Sequence, residues 1–71
     1  MKNYGETLIY WREQSKLNQE QLANAIGVTQ ASISYWENNK KSPNIEQCEA
    51  LADFYGISID DLVGHEVKKD R

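Results

Sequence analysis

Four side chains between positions 30 and 35 share one face of a predicted helix and offer both polar and apolar groups. A glutamine amide can bond both N6 and N7 of adenine, so Gln30 is a candidate reader of a base edge. Ala31 is suited to a thymine methyl group, Ser34 to a base edge or a phosphate, and the hydroxyl of Tyr35 to a phosphate. These groups would suit the edges and backbone of duplex DNA, and an ordinary polar helix surface is the alternative.

A second group of polar side chains would surround this face. Gln19, at the start of the preceding helix, can bond a phosphate while the free N–H groups of that helix terminus point the same way. A polar and basic run after the candidate base contacts would lie along one strand of the duplex. The remaining candidate DNA contacts are Gln19, Thr29, Asn38, Asn39, Lys40 and Lys41. For the two lysines, a solvated turn is the alternative.

The stretch Leu17–Glu37 predicts two short helices joined by a tight turn. Asn18 is suited to cap the first helix, and Gln21 lies three residues later, where it closes a capping box. Leu17 and Leu22 flank this cap at the spacing of a hydrophobic staple. The start of the first helix is therefore specified locally.

The second helix of this pair carries the candidate base contacts. Thr29 is suited to cap its start, and Ile33 and Trp36 give it an apolar side. Gly27 supplies the left-handed backbone conformation that ends the first helix, and the small Ala23 lets the helices cross closely. These features predict a helix-turn-helix, whose second helix can lie in a DNA major groove.

Several further segments have the order and spacing of a known family. They are Gly27–Gln30, Ile33–Asn38, Lys40–Lys41 before Pro43, Leu51–Ala52, and Tyr55–Leu62. From about Tyr4 to Val63, the chain resembles the Cro/CI-type, or XRE-type, helix-turn-helix regulators. The resemblance implies a lambda-repressor-like bundle of five helices that binds double-stranded DNA, usually as a dimer. Two positions depart from the family pattern: Tyr35 stands where Lys or Arg is frequent, and Asn39 where Gly is common.

The apolar spacing outside the helix-turn-helix predicts three more helices and an all-α fold. Helix 1 is expected over Tyr4–Ser15, with Tyr4, Leu8 and Trp11 on one face. Helix 4 is expected to begin after Asn44 and to end at Gly56. Its expected apolar stripe consists of Ile45, Cys48, Leu51, Ala52 and Tyr55. Helix 5 is short and follows Ser58, a candidate cap that Ile57 and Leu62 flank.

A charged pair is expected between helix 1 and the end of the second helix-turn-helix segment. Glu37 lies at a helix C-terminus and near the expected phosphates, and both disfavour its negative charge. Arg12 is the single arginine of helix 1, and similar proteins pair an Arg and a Glu here. We expect Arg12 and Glu37 to form a structural pair, with independent exposed side chains as the alternative.

Length and composition are those of one small domain. The 71 residues are expected to form one domain, 1–71, with a core of about 4–63 and a short polar tail, 64–71. Cys48 is expected in the core and His65 on the tail surface, so no cluster for a metal or for catalysis is expected. No apolar run suggests a membrane span. We expect a cytoplasmic protein that is not an enzyme and uses no cofactor.

The charges are distributed unevenly along the chain. Its net charge is −3, yet positions 1–45 carry five basic and four acidic residues, and positions 46–66 carry six acids with no Lys or Arg. If the later helices form the back of the domain, these acids would repel phosphate from that side. A solvated acidic face is the alternative.

The resemblance implies a transcriptional regulator, most simply a repressor, of bacterial or phage origin. A near-palindromic operator and a weak homodimer are expected, because one recognition helix spans too few base pairs to be specific alone. The candidate dimer surface is Ile57, Ile59, Val63 and Val67, with Ile9 and Tyr10 as a competing patch. The alternative function is a protein-interaction module, such as an antitoxin or anti-repressor, with secondary DNA binding and a protein partner.

Overall fold

The computed structural model describes residues 4–64, which form five α-helices. These are α1 (Tyr4–Gln14), α2 (Gln19–Ile26), α3 (Gln30–Glu37), α4 (Ile45–Tyr55) and α5 (Ile59–Val63). No strand occurs within this range. The prediction of an all-α, five-helix fold is therefore confirmed. Helix α1 ends at Gln14, one residue before the expected Ser15, and the chain then takes a left-handed conformation at Lys16, whose φ is 61°.

Local capping starts the helices where the sequence indicates. The Asn18 side chain accepts a hydrogen bond from the Gln21 N–H at 2.7 Å, and the Gln21 side chain accepts one from the Asn18 N–H at 2.9 Å. The same reciprocal capping box begins α4: the Asn44 N–H donates to the Gln47 side chain and the Gln47 N–H to the Asn44 side chain, both at 2.8 Å. Gly27 ends α2 with φ 78°, so the tight turn forms without a Cβ clash.

The core lies where the five helices meet. Its buried apolar residues are Tyr4, Leu8, Leu22, Ala23, Ile33, Trp36, Cys48, Leu51, Ala52 and Leu62. Helix α3 packs against α1 and α2, whereas α5 packs against α1 and α4. Trp11 joins α1 to α4 and α5: its indole N–H donates to the Asp61 carbonyl oxygen at 3.2 Å, and the centroid of its ring lies 6.1 Å from that of Tyr55.

The expectation that Ile45 belongs to the buried apolar stripe of α4 is wrong. It is 74% exposed, although Cys48 and Leu51 of the same stripe are buried. Ile45 is the first residue of α4, and helical side chains tilt toward the N-terminus of their helix. Its side chain therefore points beyond the end of the core, and the stripe begins one turn later.

Helices α1 and α3 touch backbone to backbone at Gly5. A Cβ added to Gly5 would lie 2.8 Å from the Glu37 carbonyl carbon and would overlap its oxygen. The Gly5 N–H donates to the Asn39 side-chain oxygen at 3.0 Å. The positive end of the α1 dipole thus meets the negative end of α3, which stabilises this contact.

We predict that Gly5→Ala lowers the free energy of unfolding by about 1–3 kcal/mol, because the added methyl group overlaps a backbone carbonyl. The higher helix propensity of alanine offsets only part of this loss. Urea denaturation followed by circular dichroism measures it. Glu6→Ala is the control, since Glu6 is exposed in the same turn. Equal stability of the two variants would contradict the close approach.

Candidate nucleic-acid interface

The outer face of α3 presents all four of its candidate DNA contacts. Gln30, Ala31 and Tyr35 are exposed, and Ser34 is half-buried. On the opposite side of the same helix, Ile33 and Trp36 are 1% and 4% exposed. The apolar side thus fixes α3 on the core and leaves these four side chains free to meet a partner.

Arg12 and Glu37 form a bidentate ion pair between α1 and the end of α3. Arg12 Nε lies 2.6 Å from Glu37 Oε2, and Arg12 Nη2 lies 3.1 Å from Glu37 Oε1. The Glu37 side chain is only 4% exposed and that of Arg12 is 15% exposed. Arg12 Nη1 also donates to the Leu17 carbonyl oxygen at 2.9 Å. The hydrogen bond to Glu37 raises the pKa of Arg12 further, so the guanidinium stays charged.

A chain of side-chain amides continues from this pair to the surface. Gln19 Nε2 donates to Glu37 Oε1 at 2.9 Å, and Gln30 Nε2 donates to Gln19 Oε1 at 3.4 Å. The amide of Gln30 is therefore restrained by a hydrogen bond to Gln19, which is in turn bonded to the buried Glu37. The sequence did not indicate this role of Gln19, because the contact with Glu37 spans 18 residues and depends on how α2 and α3 cross.

Two asparagines shape the loop that follows α3. Asn38 Nδ2 donates to the Ser34 carbonyl oxygen at 2.9 Å. Asn39 has a φ of 60°, a left-handed conformation that asparagine tolerates, and its side-chain oxygen accepts the hydrogen bond from Gly5. Both residues are exposed, yet each uses part of its amide within the protein. The amino group of Asn39 makes no hydrogen bond to another of the described residues.

The loop returns to α3 and leaves two lysines on the surface. The N–H groups of Lys40 and Lys41 both point at the Tyr35 carbonyl oxygen, at 2.8 and 3.4 Å. Both lysine side chains are exposed, and Lys41 Nζ lies 5.2 Å from the centroid of the Tyr35 ring. The loop therefore concentrates positive charge beside the outer face of α3.

Thr29, the remaining candidate contact, begins α3. Its hydroxyl oxygen accepts from the Ser32 N–H at 3.1 Å and lies 3.0 Å from the Ser32 hydroxyl. Because Thr29 is exposed, it caps α3 while remaining accessible at the end of the helix.

Acidic side chains occupy the other helices. Five of them are exposed on α4 and α5: Glu46, Glu49, Asp53, Asp60 and Asp61. Neither helix is a main packing partner of α3, which rests on α1 and α2. These five acids thus lie on helices separate from α3, which presents Gln30. His65, Glu66 and Val67 lie outside the described residues.

Among residues 4–64, no group of three or more His, Cys, Asp or Glu side chains could hold a metal ion. None of the helices there is long and apolar enough to cross a membrane. Cys48 is buried, as expected, and burial raises the pKa of its thiol, which disfavours the thiolate form.

Comparison with known proteins identifies the family. The helix-turn-helix family model matches residues 8–62. The chain belongs to the XRE-type helix-turn-helix family. Its fold is that of the lambda-repressor-like DNA-binding domain: the DNA-binding domain of the P22 C2 repressor superposes with a TM-score of 0.80 and 29% identity, covering 100% of this chain and 96% of that one.

Two curated members of this family illustrate its range. The cryptic phage CTXphi transcriptional repressor RstR of Vibrio cholerae is 44% identical over 73% of this chain and 47% of its own length. The transcriptional activator BcrR of Enterococcus faecalis is 36% identical over 89% of this chain and 31% of its own length. The chain thus spans 31% of the length of BcrR and 47% of the length of RstR. Their names describe both relatives as transcriptional regulators, one an activator and the other a repressor.

We predict that Arg12→Ala and Glu37→Ala each lower the free energy of unfolding by at least about 2 kcal/mol, more than the ~0–1 kcal/mol of an exposed pair. Each change leaves a shielded charge without its partner. Chemical denaturation of both variants and of the double variant gives their coupling energy. Glu13→Ala, an exposed change on the same helix, is the control. Additive losses would contradict a coupled pair.

Proposed function

We propose that this protein is a sequence-specific DNA-binding transcriptional regulator. The observation that carries this proposal is the amide of Gln30, which is exposed on the outer face of α3 and steadied through Gln19 and Glu37. A glutamine amide held in one orientation suits the paired donor and acceptor of adenine in the major groove. Family membership supports the same conclusion. Since RstR is named as a repressor, repression in the cytoplasm of a bacterial cell is the mode that we favour.

The outer face divides into base and backbone contacts. We assign Gln30 to adenine, Ala31 to a thymine methyl group, and Ser34 to a base edge or phosphate. Around them lie the proposed backbone contacts: Gln19, Thr29, Tyr35, Asn38, Asn39, Lys40 and Lys41. Gln19 keeps one amide N–H and its helix-terminal backbone N–H for a phosphate, while its amide oxygen accepts from Gln30 and its other amide N–H donates to Glu37. We propose that the chain 1–71 acts as a single DNA-binding domain.

Selection of bound sequences from a random duplex pool supplies the site on which this assignment is tested. We predict that Gln30→Ala costs ~1–3 kcal/mol of binding free energy on that site and relaxes the preference at one or two base pairs. Lys40→Ala should weaken binding to all duplexes similarly, because it removes a phosphate contact. Fluorescence anisotropy over a salt series measures both effects.

The salt dependence and a control complete this test. With ~3–5 phosphates neutralised per subunit, log K should fall with log salt by about 0.9 per phosphate, and Lys40→Ala should remove about one such contact. Glu49→Gln, an exposed change on α4, should leave sequence preference unchanged. Wild-type protein that shifts no duplex at low salt would refute the proposed function. Identical specificity changes in Gln30→Ala and Lys40→Ala would refute the assignment of Gln30 to a base and of Lys40 to the DNA backbone.

We further propose that two copies bind a near-palindromic site. One recognition helix contacts too few base pairs for a rare site, and two-fold symmetry doubles that number. Of the candidate dimer surface, Ile57 and Val63 pack partly against the core, whereas Ile59 is 39% exposed. In the competing patch, Tyr10 is 52% exposed. So small an apolar surface implies weak association that DNA reinforces.

Sedimentation of the saturated complex tests the dimer. We predict two chains per selected duplex, with half-site centres about 10 base pairs apart. Ile59→Asp should reduce the cooperativity of binding, because it places a charge in the proposed interface. Tyr10→Asp, on the competing patch, is the matched control and should leave cooperativity intact. One chain per duplex on an asymmetric selected site would mean that the protein reads DNA as a monomer.

A further inference from the structure

The turn after α3 brings Lys41 back over the helix that it has just left. Two successive backbone N–H groups, of Lys40 and Lys41, converge on the carbonyl oxygen of Tyr35. This closure places the Lys41 backbone beside Tyr35, and the lysine stem then carries Nζ to 5.2 Å from the centroid of the tyrosine ring. Backbone and side chain thus bring Lys41 to the same residue of the recognition helix.

The contact has a physical basis in the charge distribution of the ring. The face of an aromatic ring carries negative potential, so an ammonium group within about 6 Å of its centroid is attracted to it. Within residues 4–64, the ion pair present joins Arg12 and Glu37 and does not involve Lys41. The ammonium of Lys41, on an exposed side chain, thus lies over the ring and outside that ion pair, where its positive charge can reach a phosphate.

Tyr35 also lies on the proposed DNA face. It follows Ala31 by one turn on the outer side of α3, and it is 43% exposed. An exposed tyrosine that nothing held would sample several rotamers, and ordering it on DNA would cost conformational entropy. Lys41 over one side of the ring restricts that freedom before DNA binds.

We propose that Lys41 and Tyr35 act as one unit at the DNA surface. Lys41 neutralises a phosphate and is the positioning residue for Tyr35, whose ring packs against the apolar edge of the groove, a deoxyribose or a thymine methyl group. This inference rests on the proposed function of DNA binding. It assigns the binding contribution of Tyr35 to the ring rather than to the hydroxyl, and it explains how an aromatic residue serves where the family often has a basic one.

The first test needs no DNA. In the NMR spectrum of the free protein, the ε-methylene protons of Lys41 should be shifted upfield by the Tyr35 ring. Tyr35→Phe should keep that shift and Tyr35→Leu should abolish it, while the corresponding protons of Lys40 should not respond to either change. Absence of the shift in the wild-type protein would overturn the proposal, whatever the protein does with DNA.

The second test measures coupling on the selected duplex. Lys41→Met and Tyr35→Leu should each weaken binding, and the double variant should bind about two- to fivefold more tightly than independent losses predict, the size of an exposed cation–π contact. Lys40→Met with Tyr35→Leu is the matched control, and its losses should multiply. Both lysine variants should lower the salt slope by about 0.9, so the salt slope does not distinguish the two lysines. The coupling of each lysine to Tyr35 does distinguish them.

The outcomes distinguish this inference from the function on which it rests. Coupling at Lys41 but not at Lys40, with Tyr35→Phe retaining wild-type affinity, supports the unit. Independent losses at Lys41 on a duplex that the wild-type protein still binds would overturn the positioning role and leave DNA binding intact. A large loss on Tyr35→Phe would show that the hydroxyl carries the contact and would also overturn the proposal. Failure of the wild-type protein to bind any duplex would refute the proposed function itself.

Discussion

The orientation of α3 depends on one buried carboxylate. Glu37 ends α3, where the helix dipole disfavours a negative charge, and its side chain is almost fully shielded from water. It is stabilised by three donors from two other helices: two nitrogens of Arg12 on α1 and the amide of Gln19 on α2. A bidentate pair between a guanidinium and a carboxylate tolerates little change in the angle between the two groups. The pair and the Gln19 amide therefore hold α1 and α2 to the C-terminal end of α3.

The backbone of the same residue adds a second restraint. The Glu37 carbonyl lies against Gly5, whereas its carboxylate binds Arg12. Gly5 and Arg12 are seven residues apart, which places them on one side of α1 two turns from each other. Contact at two points along α1 fixes the direction of α3 as well as its position. Gly5→Ala and the loss of Arg12 would therefore disturb the same contact between α1 and Glu37, one at its backbone and the other at its side chain.

Local signals in the sequence predict where the helices begin and end. Contacts between residues far apart in the sequence depend on how the helices cross, which those local signals do not predict. Asn18 with Gln21, and Gly27 after them, specify the start and end of α2 within a few residues, so both were predictable. The Arg12–Glu37 contact was accessible because a carboxylate at a helix end needs a partner. The bonds of Asn39 to Gly5 and of Gln19 to Glu37 were not, because they join residues 34 and 18 positions apart through the way helices cross. The apolar period alone placed Ile45 in the core, since a period does not show where the core ends.

Charge is scarce on the proposed DNA surface, and this shapes how the protein would discriminate among sequences. Arg12 is committed to Glu37, which leaves Lys40 and Lys41 as the basic residues that directly follow α3. The other groups there are amides, hydroxyls, a methyl group and an aromatic ring. Few pairs between a lysine and a phosphate release few counterions, so we expect sequence-independent binding to be weak. The contacts that depend on base identity then form a larger share of the total. A domain with a net charge of −3 can in this way remain off nonspecific DNA and still bind its own site.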